Sequence, residues 1–114
     1  MLLAQLHGVT VTRAELSLAD GLKLAPQLFD AAGLLEHEKV EVYCLESGAR
    51  LSCSVRRHTS AGELEVGGAA AQLLKPGARV VIAAWGWLKE KQALKHEPRL
   101  LHVDDENAVR WPDR

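Results

Sequence analysis

A chain of 114 residues, 47% of them hydrophobic, is sized for one domain with a real but small core, and a core that small favours oligomerisation as a supplement. Its 14 Lys and Arg stand against 15 Asp and Glu with the signs well mixed, which excludes the clustered positive face that nucleic acid needs and gives no reason to invoke a membrane surface. No apolar run approaches the roughly 20 residues of a membrane span, and Met1 to Gln5 lack the features of a signal peptide, so the expected location is cytoplasmic.

The dominant period along the chain is two. Val9-Thr10-Val11-Thr12 alternates apolar and polar, which predicts a half-buried strand. Pro26 suits the first turn of a helix running to about Ala32, with Gly33 as its stop. Val40 to Tyr43 and Leu51 to Val55 alternate again, around a turn at Glu46-Ser47-Gly48. Glu63 to Val66 repeats the pattern. Gly67-Gly68 opens a helix of one or two turns through Ala69, Ala70, Ala71 and Gln72, and Pro76-Gly77 marks a turn. Ala78 to Ala84 is continuously apolar, as a strand buried on both faces would be. Leu88 to about Lys95 reads as a solvated helix, and Leu100 to Val103 as the last strand. Many short strands, a few helical interruptions and one core predict a mainly β fold, a small barrel with short helical inserts. The barrel is placed over residues 1–104, with a C-terminal tail over 105–114.

With the hairpin centred on Ser47, Cys44 faces roughly Arg50 and Cys53 roughly Glu41, too far apart for a disulfide. The five histidines show no zinc spacing and no Cys-x-x-Cys occurs, so no metal site is expected.

Three blocks carry a family likeness: Leu6-His7-Gly8-Val9-Thr10-Val11-Thr12-Arg13-Ala14-Glu15-Leu16, Phe29-Asp30-Ala31-Ala32-Gly33-Leu34-Leu35-Glu36 and Gly68-Ala69-Ala70-Ala71. In that order and near that spacing they resemble the small bacterial aspartate 1-decarboxylases, which cut their own backbone at a Gly-Ser bond and convert the serine into a pyruvoyl cofactor. The resemblance implies a double-psi β-barrel, normally a tetramer with active sites between subunits. It also places Gly21 at the processed serine and Asp20 at the preceding glycine. Glycine has neither the hydroxyl to attack the adjoining carbonyl nor a Cβ from which to build a pyruvoyl group, so no self-processing and no cofactor are expected. Other positions depart as well: the family's lysine is Gln5, its first tyrosine Leu18, its later tyrosine Ser54, its threonine Cys53 and its asparagine Gly67.

The resemblance also assigns a pocket. Arg50, in Ser47-Gly48-Ala49-Arg50, matches the arginine that grips a substrate carboxylate, a role suited to a permanently charged planar fork; the competing reading pairs it with Glu46 across the hairpin. His7 matches a histidine near the catalytic centre, able to orient a carboxylate or move a proton; equally, it is a half-buried strand histidine bonded to backbone. Backbone N–H groups of Gly68, Ala69 and Ala70 offer an anion seat, or else pack tightly without a ligand. Leu18 at the pocket edge, Tyr43 and Gly67 complete the substrate-binding set. Cys53 is either a nucleophile with a lowered pKa beside Arg50 and His7, or a small buried hydrophobe. Trp85, Trp87 and Trp111 serve as aromatic walls, core or interface.

Three functions follow. The first is a repurposed, cofactor-independent enzyme acting on a carboxylate-bearing substrate bulkier than aspartate, with His7 and Cys53 for proton transfer. The second is a non-catalytic carboxylate-binding or regulatory subunit, alone or assembled with a true decarboxylase. The third, aspartate decarboxylation itself, lacks its electron sink once Gly21 replaces the serine.

Overall fold

The computed structural model describes residues 1–110. Eight strands form one curled sheet: β1 (Leu2–Thr10), β2 (Arg13–Glu15), β3 (Gly21–Leu24), β4 (Glu38–Cys44), β5 (Arg50–Arg57), β6 (Leu64–Gly67), β7 (Arg79–Trp85) and β8 (Arg99–His102). Their order is β2-β6-β3-β5-β4-β7-β1-β8. β2–β6, β3–β5 and β1–β8 pair parallel, the other neighbours antiparallel. The chain itself links the two ends of this order. Val11 donates to the Ala78 carbonyl and Thr12, one residue on, donates to the Leu64 carbonyl, so the continuous β1–β2 segment passes from β7 to β6. This is the mainly β, double-psi barrel architecture, with the short helices α1 (Pro26–Ala31) and α2 (Glu90–Ala93) and a 3₁₀ turn (Gly68–Gln72) as inserts.

Leu6, Val9, Val11, Leu22, Leu24, Leu28, Val40, Val42, Val55, Leu64, Leu74 and Ile82 fill the interior. β1 begins at Leu2, well before the alternation at Val9 that announces it, because Gly8 interrupts the phase. It sits at φ +93 in a bulge between the His7↔Val81 and Val9↔Val80 pairs, so Ala4 and Leu6 face inward in one phase and Val9 and Val11 in the next. α1 begins on Pro26 and turns out at Gly33, φ +71. α2, with no buried residue, is the expected solvated helix in shorter form.

The hairpin register differs from the expected one. Tyr43, not Cys44, lies opposite Arg50, and Val40, not Glu41, opposite Cys53. Cys44 donates to the Ala49 carbonyl, closing a four-residue loop with Gly48 at φ +76, and this moves the centre half a residue from Ser47. Both cysteines are reduced. After β8 the chain folds back through a Val103↔Val109 bridge, and Asn107 is buried against the barrel. Its side-chain oxygen accepts from Thr10 N at 2.8 Å, while its amide donates to the Thr10 and Gly62 carbonyls at 2.8 and 2.9 Å. Trp111 and the rest of 111–114 lie outside the described residues.

Candidate functional site

The turn joining β2 to β3 lies against the end of β6, and glycines permit that approach. Gly21 is buried at φ +106, and a Cβ there would stand 2.5 Å from the Ser54 carbonyl oxygen and 3.0 Å from its hydroxyl. A Cβ on Gly67 would stand 2.1 Å from the Ala19 carbonyl oxygen. Gly68, φ +66, packs on Asp20. The glycines at 21 and 67 are thus matched to one local packing: the turn's backbone occupies the volume that side chains would need. Asp20 Oδ1 accepts a hydrogen bond from Ala69 N at 3.0 Å, so the first turn of the 3₁₀ segment is capped by the chain's own carboxylate. Sequence reasoning placed Asp20 only in a degenerate cleavage turn. The signal for its present role was a helix opening on Gly67-Gly68 with no Ser, Thr, Asp or Asn of its own to cap it.

Two clefts flank this turn. One, of about 160 Å³, is lined by Asp20, Leu51, Ser52, Cys53, Ala69, Ala70 and Leu73. The other, of about 220 Å³, is lined by Leu18, Ala19, Gly21, Lys23, Arg56, Glu65 and Gly67. The residues assigned to one pocket by sequence are therefore divided: Asp20, Cys53, Ala69 and Ala70 line the first cleft, while Leu18, Gly21 and Gly67 line the second. Gly68 stands between them on Asp20.

Cys53 does not have the lowered pKa expected of a nucleophile. Burial pushes its thiol up from 9.0 to about 11, and the charges of Asp20 and Glu41 push the same way. Arg50 offers no compensating charge at close range. It is three residues away on β5 and therefore on the other face of the strand. His7 lies on β1, which β7 and β4 separate from β5.

Arg50 is exposed and lies over the ring of its cross-strand partner Tyr43, its guanidinium carbon 4.2 Å from the ring centroid. It does not pair with Glu46, whose carboxylate accepts from the Arg79 backbone N–H at 3.0 Å, and it makes no ion pair with any described residue. The contact with Tyr43 holds an exposed guanidinium with no carboxylate partner among the described residues, and a guanidinium can take a carboxylate bidentately.

His7 is also exposed, not half-buried. The Gly8 bulge re-aims it, and its ring sits 5.4 Å from that of its register partner His102 on β8. Trp85 and Trp87 are exposed and, with Met1 and Gly86, border a separate shallow cleft. Among the described residues no group of three or more His, Cys, Asp or Glu is placed to hold a metal ion. No described helix is long and apolar enough to cross a membrane.

A small β-barrel with a glycine-accommodated turn packed on a short 3₁₀ segment defines a protein of the double-psi β-barrel class. The comparisons with known proteins make the class specific. A family model described as aspartate decarboxylase matches residues 1–110. An aspartate 1-decarboxylase of Clostridium beijerinckii is 36% identical over 111 residues, covering 96% of this chain and 90% of the relative. That of Thioalkalivibrio sulfidiphilus is 34% identical over 110 residues, with 96% and 87% covered, and that of Salinibacter ruber 40% identical over 111 residues, with 96% and 75% covered. This chain belongs to the aspartate decarboxylase family.

The pyruvoyl group of that family does not fit the residues present. Such a group needs the carbon skeleton of a serine, and Gly21, the position that the sequence resemblance assigns to it, has no Cβ and no room for one at 2.5 Å from the Ser54 carbonyl.

Proposed function

We propose that this chain is a non-processing member of the aspartate decarboxylase family, which forms no pyruvoyl group and binds through Arg50 a carboxylate-bearing small molecule bulkier than aspartate. The observation that carries the binding reading is the Arg50 guanidinium over Tyr43, without an ion-pair partner among the described residues. Gly21 in its tight, positive-φ setting supports the loss of processing. The preference for a ligand larger than aspartate rests on the resemblance alone, which sets Leu18, Ser54 and Gly67 in place of larger polar side chains; within one chain Leu18 and Gly67 line a separate cleft.

Within one chain the reading as a binding or regulatory subunit is better supported than the reading as an enzyme. A catalytic set needs proton-transfer groups converging on one point. Here the Cys53 thiol holds its proton and His7 lies three strands away along the sheet. One observation favours the enzyme reading: His7 and His102 stand side by side at the surface, where a second copy could bring them to a neighbour's Arg50. Such an enzyme would act by orientation and electrostatic stabilisation without a cofactor. We infer a homotetramer for either case, supported by the exposed apolar Trp85, Trp87, Leu94 and Leu100.

A thermal-shift screen of small and bulky carboxylates, run on wild type and Arg50→Ala together, tests the binding reading. Stabilisation by a bulky carboxylate that vanishes in the variant is expected. If no carboxylate stabilises the wild type, the ligand reading fails and the role is that of a structural subunit, to be sought by co-purification with a true decarboxylase.

A further inference from the structure

One face of the sheet carries a row of charges that the Arg50 site does not use. Register places Arg13 of β2 beside Glu65 of β6, Glu65 beside Lys23 of β3, and Lys23 beside Arg56 of β5. Each of Glu65, Lys23 and Arg56 is half-buried, between neighbours whose side chains point into the core. The single carboxylate of the row is already engaged. Glu65 Oε1 takes Arg13 at 3.2 Å, and Oε2 takes His58. Lys23 and Arg56 are left as adjacent cations whose side chains make no hydrogen bond or ion pair with a described residue.

Like charges directly opposite on neighbouring strands repel, so this juxtaposition costs stability unless something negative stands between them. The two cations also border a cavity. They line the cleft of about 220 Å³ together with Leu18, Ala19, Gly21, Gly67 and Glu65, whose carboxylate is already taken up by Arg13 and His58. A cavity of about 150 Å³ holds a benzene ring, so the space suits an apolar body of that size with a charged head. Arg50 lies on the same face of β5 but six residues earlier, about 20 Å away.

We propose that this cleft is a second anion site, separate from Arg50, which holds the oxyanion head of a small ligand (carboxylate or phosphomonoester) between Lys23 and Arg56 and its apolar body against Leu18 and Ala19. The glycines at 21 and 67 leave that wall flat. Recognition comes from two charge-assisted contacts on one head, with the turn that replaces the family's cleavage site serving as the ligand's apolar wall.

The test is a heteronuclear NMR titration of the full ¹⁵N-labelled chain with benzoate, with phenyl phosphate, and with uncharged benzamide. Benzoate or phenyl phosphate should shift the Gly21 and Gly67 amides, and whichever binds more tightly assigns the head. Benzamide should bind at least about tenfold more weakly, as should either anion to Lys23→Gln or Arg56→Gln, since each loses one charge-assisted contact. Arg50→Ala should titrate like wild type. Without ligand, Arg56→Gln should melt no lower than wild type, because it removes a repulsion. Equal binding of benzamide, loss of the shifts in Arg50→Ala, no shift from either anion, or a marked drop in the melting temperature of Arg56→Gln each overturn the site.

Discussion

Restoring a serine at position 21 puts the packing of the turn to a direct test. In Gly21→Ser the backbone must hold a side chain at φ +106, beyond the left-handed region that other residues visit, at a cost of about 1–3 kcal/mol. The new Cβ also meets the Ser54 carbonyl oxygen at 2.5 Å, a backbone atom of β5 that cannot rotate aside. Displacing it is an overpacking cost of about 1–3 kcal/mol more. At about 4 °C per kcal/mol for a domain of this size, the melting temperature should fall by roughly 8–24 °C. Gly48→Ser is the control: φ there is +76, yet nothing stands within 4 Å of its Cβ, so it carries conformational strain without a clash. Melts followed by circular dichroism give both values, and intact mass spectrometry checks the product. The expected species is one uncut chain near the native 12.5 kDa, for Gly21→Ser and also for Asp20→Gly/Gly21→Ser, which recreates the Gly-Ser pair. Should Gly21→Ser melt within about 3 °C of Gly48→Ser, the clash argument is wrong. Should the double variant split near residue 20, these two residues alone account for lost processing and the other departures from the family are incidental.

Gly67→Asn, which returns the family's asparagine, should expel the turn, because its Cβ would lie 2.1 Å from the Ala19 carbonyl; limited proteolysis should then cut at residues 16–20 faster than in wild type, and equal rates would contradict this. Asn107→Ala removes three hydrogen bonds to Thr10 and Gly62 and places alanine at φ +59, so it should cost about 2–4 kcal/mol in a urea unfolding series, whereas a loss below about 1 kcal/mol would mean that the residues after β8 contribute little. Cys53 should alkylate near pH 7 about 100-fold more slowly than a thiol at 9.0, its rate still climbing towards pH 11; a rate that levels off below pH 9 would restore it as a nucleophile. Since the unfolded thiol ionises near 9.0 and the folded one near about 11, the folded state binds the extra proton between them. Stability tied to Cys53 is therefore intact below pH 9 and declines as pH rises towards 11, and Cys53→Ser should flatten that decline in alkaline melts.

What the sequence determined by itself was whatever depends on local pattern and residue chemistry. Alternation located β4, β5 and β6, because a half-buried strand must present opposite faces to core and water, and a continuous apolar run located β7, which is buried on both faces. Pro26 and Gly33 bounded α1 through backbone restriction alone. The absence of a hydroxyl and a Cβ at Gly21 is legible without any coordinates, and the proposed loss of pyruvoyl chemistry rests on it. Tertiary structure decided the rest. β2 is three residues and β3 four, too short for alternation to announce them, and β6 pairs with both, one on either side. The hairpin register turned on the length of one loop, which set Tyr43 rather than Cys44 under Arg50. Arg50 and Cys53, three apart in sequence, look like neighbours but occupy opposite faces of β5. Lys23 and Arg56, 33 positions apart, meet only through a parallel pairing across the barrel. Asp20 found Ala69 in the same way, across 49 positions, because a bare helix start and an exposed carboxylate satisfy one another only when the fold brings them within hydrogen-bond reach.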